Sequence, residues 1–132
     1  MKNNQQKFVK NLSRNFLVEA GAGTGKTACL VERILNLISR LPDFKMGELV
    51  ALTFTEKAAA EMKIRLRQGL EQAKRKAGRD KAGVFEQALL DFERAQISTI
   101  HSFCAGLLRL LPVEAGVPPG FRVLDENAAG GL

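Results

Sequence analysis

Short apolar runs alternate along the chain with longer stretches in which apolar residues recur every three or four positions, the pattern of parallel strands joined by crossover helices. Residues 5–12 predict a short helix, and the consecutive Phe16, Leu17 and Val18 predict a buried strand over residues 15–19. Between Lys26 and Arg40, the apolar residues Leu30, Val31, Ile34, Leu35, Leu37 and Ile38 cover a wide face, so this helix should be largely buried. Pro42 closes off its continuation. A second buried strand is expected over residues 49–54. Thr55 can cap the helix after it, whose core stripe would be Ala58, Met62, Leu66, Leu70 and Ala73. Gly78 and Gly83 mark a break, and a charged helix runs from about Val84 to Arg94. A third strand over residues 96–100 leads into a helix through Leu111 that Pro112 ends. The tail is rich in Pro and Gly from Gly116 to Gly120, offers one short strand at residues 121–124, and reads as a cut end.

Composition narrows the class. A chain of 132 residues fits one domain, long enough to bury a core. With 45% hydrophobic and 26% charged residues it has the balance of a soluble globular protein, and no apolar run approaches the roughly 20 residues of a membrane span. Residues 1–10 are polar and basic, which is not a secretory signal, so a cytoplasmic location is expected. Twenty Lys and Arg against fourteen Asp and Glu leave a net charge of +6, a bias toward polyanions that a solvated basic face would also produce. Cys29 and Cys104 lie far apart in predicted helices and at no metal-ligand spacing, so both are expected to be reduced packing residues.

Chemistry is concentrated in Ala20-Gly21-Ala22-Gly23-Thr24-Gly25-Lys26-Thr27, placed between a predicted strand and a predicted helix. Glycines let such a loop curl so that its N–H groups point at phosphate oxygens, and the helix N-terminus adds positive potential there. Lys26 would reach the β and γ phosphates of a nucleotide, and the Thr27 hydroxyl would bind Mg²⁺. The strict pattern has glycine where this chain has Ala20. Even with either residue allowed, a chance match in this length is expected at roughly one per cent. His101 has no Cys or acidic partner at a useful spacing for a metal or general-base role.

Two further segments extend the picture: Thr53-Phe54-Thr55-Glu56-Lys57-Ala58-Ala59-Ala60-Glu61-Met62 and Ser98-Thr99-Ile100-His101-Ser102-Phe103. With the loop, they resemble motifs I, Ia and Ib of the UvrD/Rep-type superfamily-one DNA helicases, more narrowly their RecB- and AddA-like branch, where the alanine variant of the loop is usual. The resemblance covers about residues 5–125. It implies ATP and Mg²⁺ as ligands and single-stranded DNA as the partner. Phe54 would stack on a base, Lys57 would meet a phosphate, and Thr53, Thr99, His101 and Ser102 would hydrogen-bond the strand. Other roles compete: Phe54 in the core, Thr55 and Ser102 as helix caps, Glu56 at a helix N-terminus, Lys57 in solvent. The UvrD type usually has Asn where this chain has Glu56, whereas RecB-like members can carry Glu. Gln5, next to Gln6, stands where the family's Q motif places a glutamine that pairs with adenine.

A nucleotide hydrolase of this kind also needs an acidic pair at the end of a buried strand. Asp125 and Glu126 follow only a four-residue run containing Arg122, with Pro118 and Pro119 before it, which suits a central strand poorly. That stretch resembles instead the segment after motif Ib, leading into an inserted subdomain from about residue 112. The expected architecture is therefore α/β, a single incomplete N-terminal RecA-like P-loop NTPase domain over residues 1–132, its parallel sheet flanked by helices. The parent would be an ATP-dependent helicase or helicase–nuclease, with a nuclease partner or domain elsewhere. Alternatives are a small P-loop NTPase or kinase, or a nucleotide- or DNA-binding module without turnover.

Overall fold

Two parallel strands and the helices packed beside them frame residues 3–19, 21 and 25–124, the part that a computed structural model describes. The order is α1 (Asn3–Lys10), α2 (Lys26–Arg40), β1 (Val50–Thr53), α3 (Glu56–Lys76), α4 (Arg79–Leu90), β2 (Gln96–Thr99), α5 (Ile100–Leu110) and α6 (Pro112–Ala115). β1 and β2 pair in parallel, Val50 opposite Gln96 through Thr53 opposite Thr99, with α3 and α4 as the crossover. Parallel pairing needs such a long connection, because the chain must return to the same end of the sheet.

The core gathers Val31, Ile34 and Ile38 of α2, Met62, Leu66 and Leu70 of α3, Phe85 and Ala88 of α4, and Ala51 and Ile97 of the strands. Leu66 and Leu70 are completely enclosed, at 0% exposure. The four-residue step from Met62 to Leu66 to Leu70 keeps these side chains on one line of α3, and Ala59 rather than the expected Ala58 continues it. Thr55 does cap α3, its Oγ1 accepting the Ala58 N–H at 3.1 Å.

Several expectations need correction. The run over residues 15–19 is not a strand, and Phe16, Leu17 and Val18 are exposed. A strand exists only where a neighbour takes up its N–H and C=O groups, and among the described residues the sheet consists of β1 and β2 alone. Residues 121–124 form no strand for the same reason; the Phe121 N–H instead reaches the Pro118 carbonyl, and its ring lies under the Arg109 guanidinium. The strands themselves are buried on one face only: Ala51 and Ile97 are covered, while Val50 and Leu52 are exposed. Gly83 does not interrupt α4, which begins at Arg79, because Phe85 and Ala88 fix the helix to the core and outweigh the roughly 1 kcal/mol that a helical glycine costs. Cys104 is exposed on α5 and is not a packing residue; Cys29 is half-buried, and both are free thiols. Among the described residues no helix is long and apolar enough to cross a membrane.

Candidate nucleotide and DNA sites

Of the phosphate-loop residues, Ala20, Ala22, Gly23 and Thr24 lie outside the described residues. Gly21 stands between Ala20 and Ala22, and Gly25 closes the loop with φ +81°, a left-handed conformation that glycine adopts without strain. Space is not the constraint there, since a Cβ on Gly25 would meet nothing within 4 Å. That turn aims the chain into α2, with Lys26 and Thr27 its first two residues. Lys26 is exposed and Thr27 half-buried. Glycine has no side chain to cap the first turn of α2, and an uncapped helix N-terminus suits an anion.

Beside that terminus is an open cleft of about 690 Å³, walled by α1, residues 16–19 and the start of α2. Gln5 and Lys26 both line it, so the residue expected at the base and the residue expected at the phosphates share one space. Among the described residues, no three His, Cys, Asp or Glu gather into a metal site. A hydroxyl such as that of Thr27 is the kind of oxygen donor that a hard cation accepts beside phosphate oxygens and water.

Arg33 escaped the sequence reading. Its guanidinium donates to the carbonyls of Phe8, of Asn11 at 2.7 Å and of Arg14 at 3.1 Å. It also stands 4.9 Å from the Phe8 ring and 5.1 Å from the Phe16 ring, which meet edge to face at 5.7 Å. The signal was a polar stripe, Arg33, Asn36 and Arg40, on a helix read as largely buried.

The segments expected to meet DNA come together at the C-terminal ends of the strands. Thr53 and Thr99 are register partners there, and α3 and α5 start within three residues beyond them. Phe54 is 88% exposed, which excludes the core role, and Lys57 and His101 are also exposed. The hydroxyls are engaged within the protein. Thr53 Oγ1 donates to the Thr55 carbonyl at 3.0 Å. Thr99, 5% exposed, caps α5 by accepting the Ser102 N–H at 3.1 Å, the cap role that Ser102 itself does not take. Thr99 Oγ1 donates to Ser102 Oγ at 3.0 Å, and Ser102 Oγ donates to Glu56 Oε1 at 3.3 Å. Glu56 thereby joins the first turn of α3 to the first turn of α5.

The sequence is similar to known proteins over nearly its whole length. The family model described as the UvrD/REP helicase N-terminal domain matches residues 1–131. The chain is 43% identical over 123 residues, 92% of its length, to an ATP-dependent helicase/nuclease subunit of Listeria monocytogenes serotype 4a. To the equally named proteins from Moorella thermoacetica and Desulforudis audaxviator it is 46% and 44% identical, over 84% and 95% of its length. It spans 8 to 10% of the length of these relatives. A family match over residues 1–131, with 43 to 46% identity to these relatives, establishes that the chain belongs to the UvrD/REP helicase N-terminal domain family.

Proposed function

We propose that this chain is the ATP-binding N-terminal portion of an ATP-dependent DNA helicase or helicase–nuclease that translocates on single-stranded DNA in the cytoplasm. The carrying observation is the cleft that Gln5 and Lys26 both line at the start of α2. The two-stranded parallel sheet is, in this reading, part of a RecA-like motor domain whose residues from about 112 lead into a further subdomain. The names of the relatives support ATP as the nucleotide and a nuclease domain or partner.

In this reading the glycine-rich loop before α2 would supply backbone N–H donors to the phosphates, Lys26 would meet the β and γ oxygens, and Gln5 would pair with the adenine edge. Thr27 would hold Mg²⁺, which neutralises charge on those oxygens when bound. At the strand ends, Phe54 offers a stacking face, Lys57 a phosphate contact, and His101 and Ser102 hydrogen bonds. Thr53 and Thr99 shape this surface through their bonds to Thr55 and Ser102. Calorimetry with Mg-ATP tests the proposal: the wild-type chain should bind, and Lys26→Ala should bring binding below detection. Equal affinity in the two proteins would sink it.

A further inference from the structure

The last four carbonyls of an α-helix have no partner inside the helix and need one from outside. At the C-terminal end of α1, the Lys7 carbonyl accepts the Asn11 N–H at 3.0 Å. The other three turn to side chains of α2: Phe8 O accepts from Arg33, Val9 O from Asn36 at 3.2 Å, and Lys10 O from Arg40 at 3.5 Å. Spacings of three and four residues put 33, 36 and 40 on one face of α2. Two of the three are cations, which also favour the negative end of the α1 dipole. Arg33 reaches furthest, since the same guanidinium binds the Asn11 and Arg14 carbonyls beyond the helix and touches the Phe8 and Phe16 rings.

This polar seam carries much of the attachment of α1. Val9 is its only buried residue among those described, and no α1 residue belongs to the main core cluster. Phe8 and Phe16 also line the cleft that contains Gln5 and Lys26. The same helix that begins with Lys26 therefore clamps, two turns further on, the wall that carries Gln5.

We infer that Arg33 is a positioning residue for nucleotide selection: through the carbonyls of Phe8, Asn11 and Arg14 it sets the base-side wall of the cleft relative to the phosphate side. The inference rests on the nucleotide reading proposed above. On the phosphate side, Lys26 and Thr27 are covalently part of α2 and keep their place on the helix without the clamp. Loosening α1 should thus weaken recognition of the base and leave phosphate binding in place. Lysine at 33 would keep the charge but not the planar fork that serves several carbonyls at once.

The test is calorimetric titration of ATP and of inorganic tripolyphosphate into the wild-type chain, Arg33→Gln, Arg33→Lys, Gln5→Ala and the double variant Gln5→Ala/Arg33→Gln. Arg33→Gln should lower ATP affinity by about tenfold and tripolyphosphate affinity by less than about twofold, with Arg33→Lys recovering little. Gln5→Ala should show the same signature. The double variant should be no worse than either single one, because both act through one contact to the base. If Arg33→Gln loses its helical circular dichroism, Asn36→Ala, which removes only the bond to Val9 O, should shift the ATP to tripolyphosphate ratio in the same direction by about threefold. Additive losses, an unchanged ratio, or equal losses for both ligands would overturn the inference and leave the nucleotide reading standing. A wild-type chain that binds neither ligand would remove both.

Discussion

Phe54 is an 88% exposed phenyl one residue past the end of β1, and burial decides what its removal should do. With little surface hidden, Phe54→Ala should change folding stability by less than about 0.5 kcal/mol. It should weaken binding of a labelled single-stranded oligonucleotide by about 1–3 kcal/mol, the value of one base stacked on an aromatic ring. Anisotropy beside urea melting separates the two effects; lost stability with unchanged affinity would make Phe54 a packing residue. Thr55, its neighbour, should behave oppositely. Thr55→Ala deletes the acceptor of the Ala58 N–H and should cost about 1 kcal/mol of stability in urea titration. Thr55 was legible in the sequence, because a cap is defined by the residues next to it, whereas the exposure of Phe54, for which the sequence left a core role open, was decided by the fold. Arg33 was not, because its partners lie 19 to 25 positions away and are backbone carbonyls, which every residue possesses.

The contact between α2 and α3 shows why element packing is harder to read than element existence. α3 carries Gly69 in its interior, where a Cβ would lie 3.1 Å from Leu35 Cδ1 and 3.4 Å from Val31 Cγ1. Alanine would gain about 1 kcal/mol of helix propensity, offset by displacement of the mobile end of Leu35. Gly69→Ala should therefore be close to neutral. Gly69→Val adds two methyl groups to the same crowded place and should lose about 1–3 kcal/mol. Leu66→Ala, at a fully enclosed position, should lose about 2–5 kcal/mol. Denaturant melting of the three variants orders them. A Gly69→Val as stable as wild type would show that the two helices are free to move apart.

Over the whole molecule, the net charge of +6 and the adjacent N-termini of α3 and α5 favour a phosphate backbone without a closed groove around it. Binding should be weak, prefer single strands and fall steeply with salt. For about three phosphate contacts, the logarithm of affinity should fall by about two for each tenfold rise in salt. Anisotropy titrations with equal affinity at low and high salt would refute this. Turnover makes a stricter demand. Nucleotide binding needs the loop, Lys26 and Thr27, whereas hydrolysis also needs a carboxylate to orient water and cations that answer the developing charge, the latter worth about a thousandfold or more. Such a carboxylate acts from the end of a buried strand, and residues 121–124, which lead to the acidic pair Asp125 and Glu126, form no strand; the pair itself lies outside the described residues. The 132-residue chain is therefore expected to bind ATP without measurable turnover. A DNA-stimulated phosphate release lost on Asp125→Ala or Glu126→Ala would overturn that.

The sequence by itself determined whatever depends on residues close along the chain. The span of α2, the cap at Thr55, the Met62, Leu66 and Leu70 stripe and the end of α5 before Pro112 all follow from rules that act within about four positions, because helix hydrogen bonds and side-chain contacts are that local. Strands carry no such guarantee. Phe16, Leu17 and Val18 are as apolar as Val50, Ala51 and Leu52, yet only the latter pair, because a strand is a relation to a neighbour that its own residues do not contain. The same nonlocality governs the sites. Tertiary structure alone buried Thr99 to 5% exposure, linked Glu56 to Ser102 across 46 positions, and laid Arg33 against the carbonyls of Phe8, Asn11 and Arg14. Each of these polar groups could have been satisfied by water, and only folding, which removes part of that water, decided which protein group would replace it.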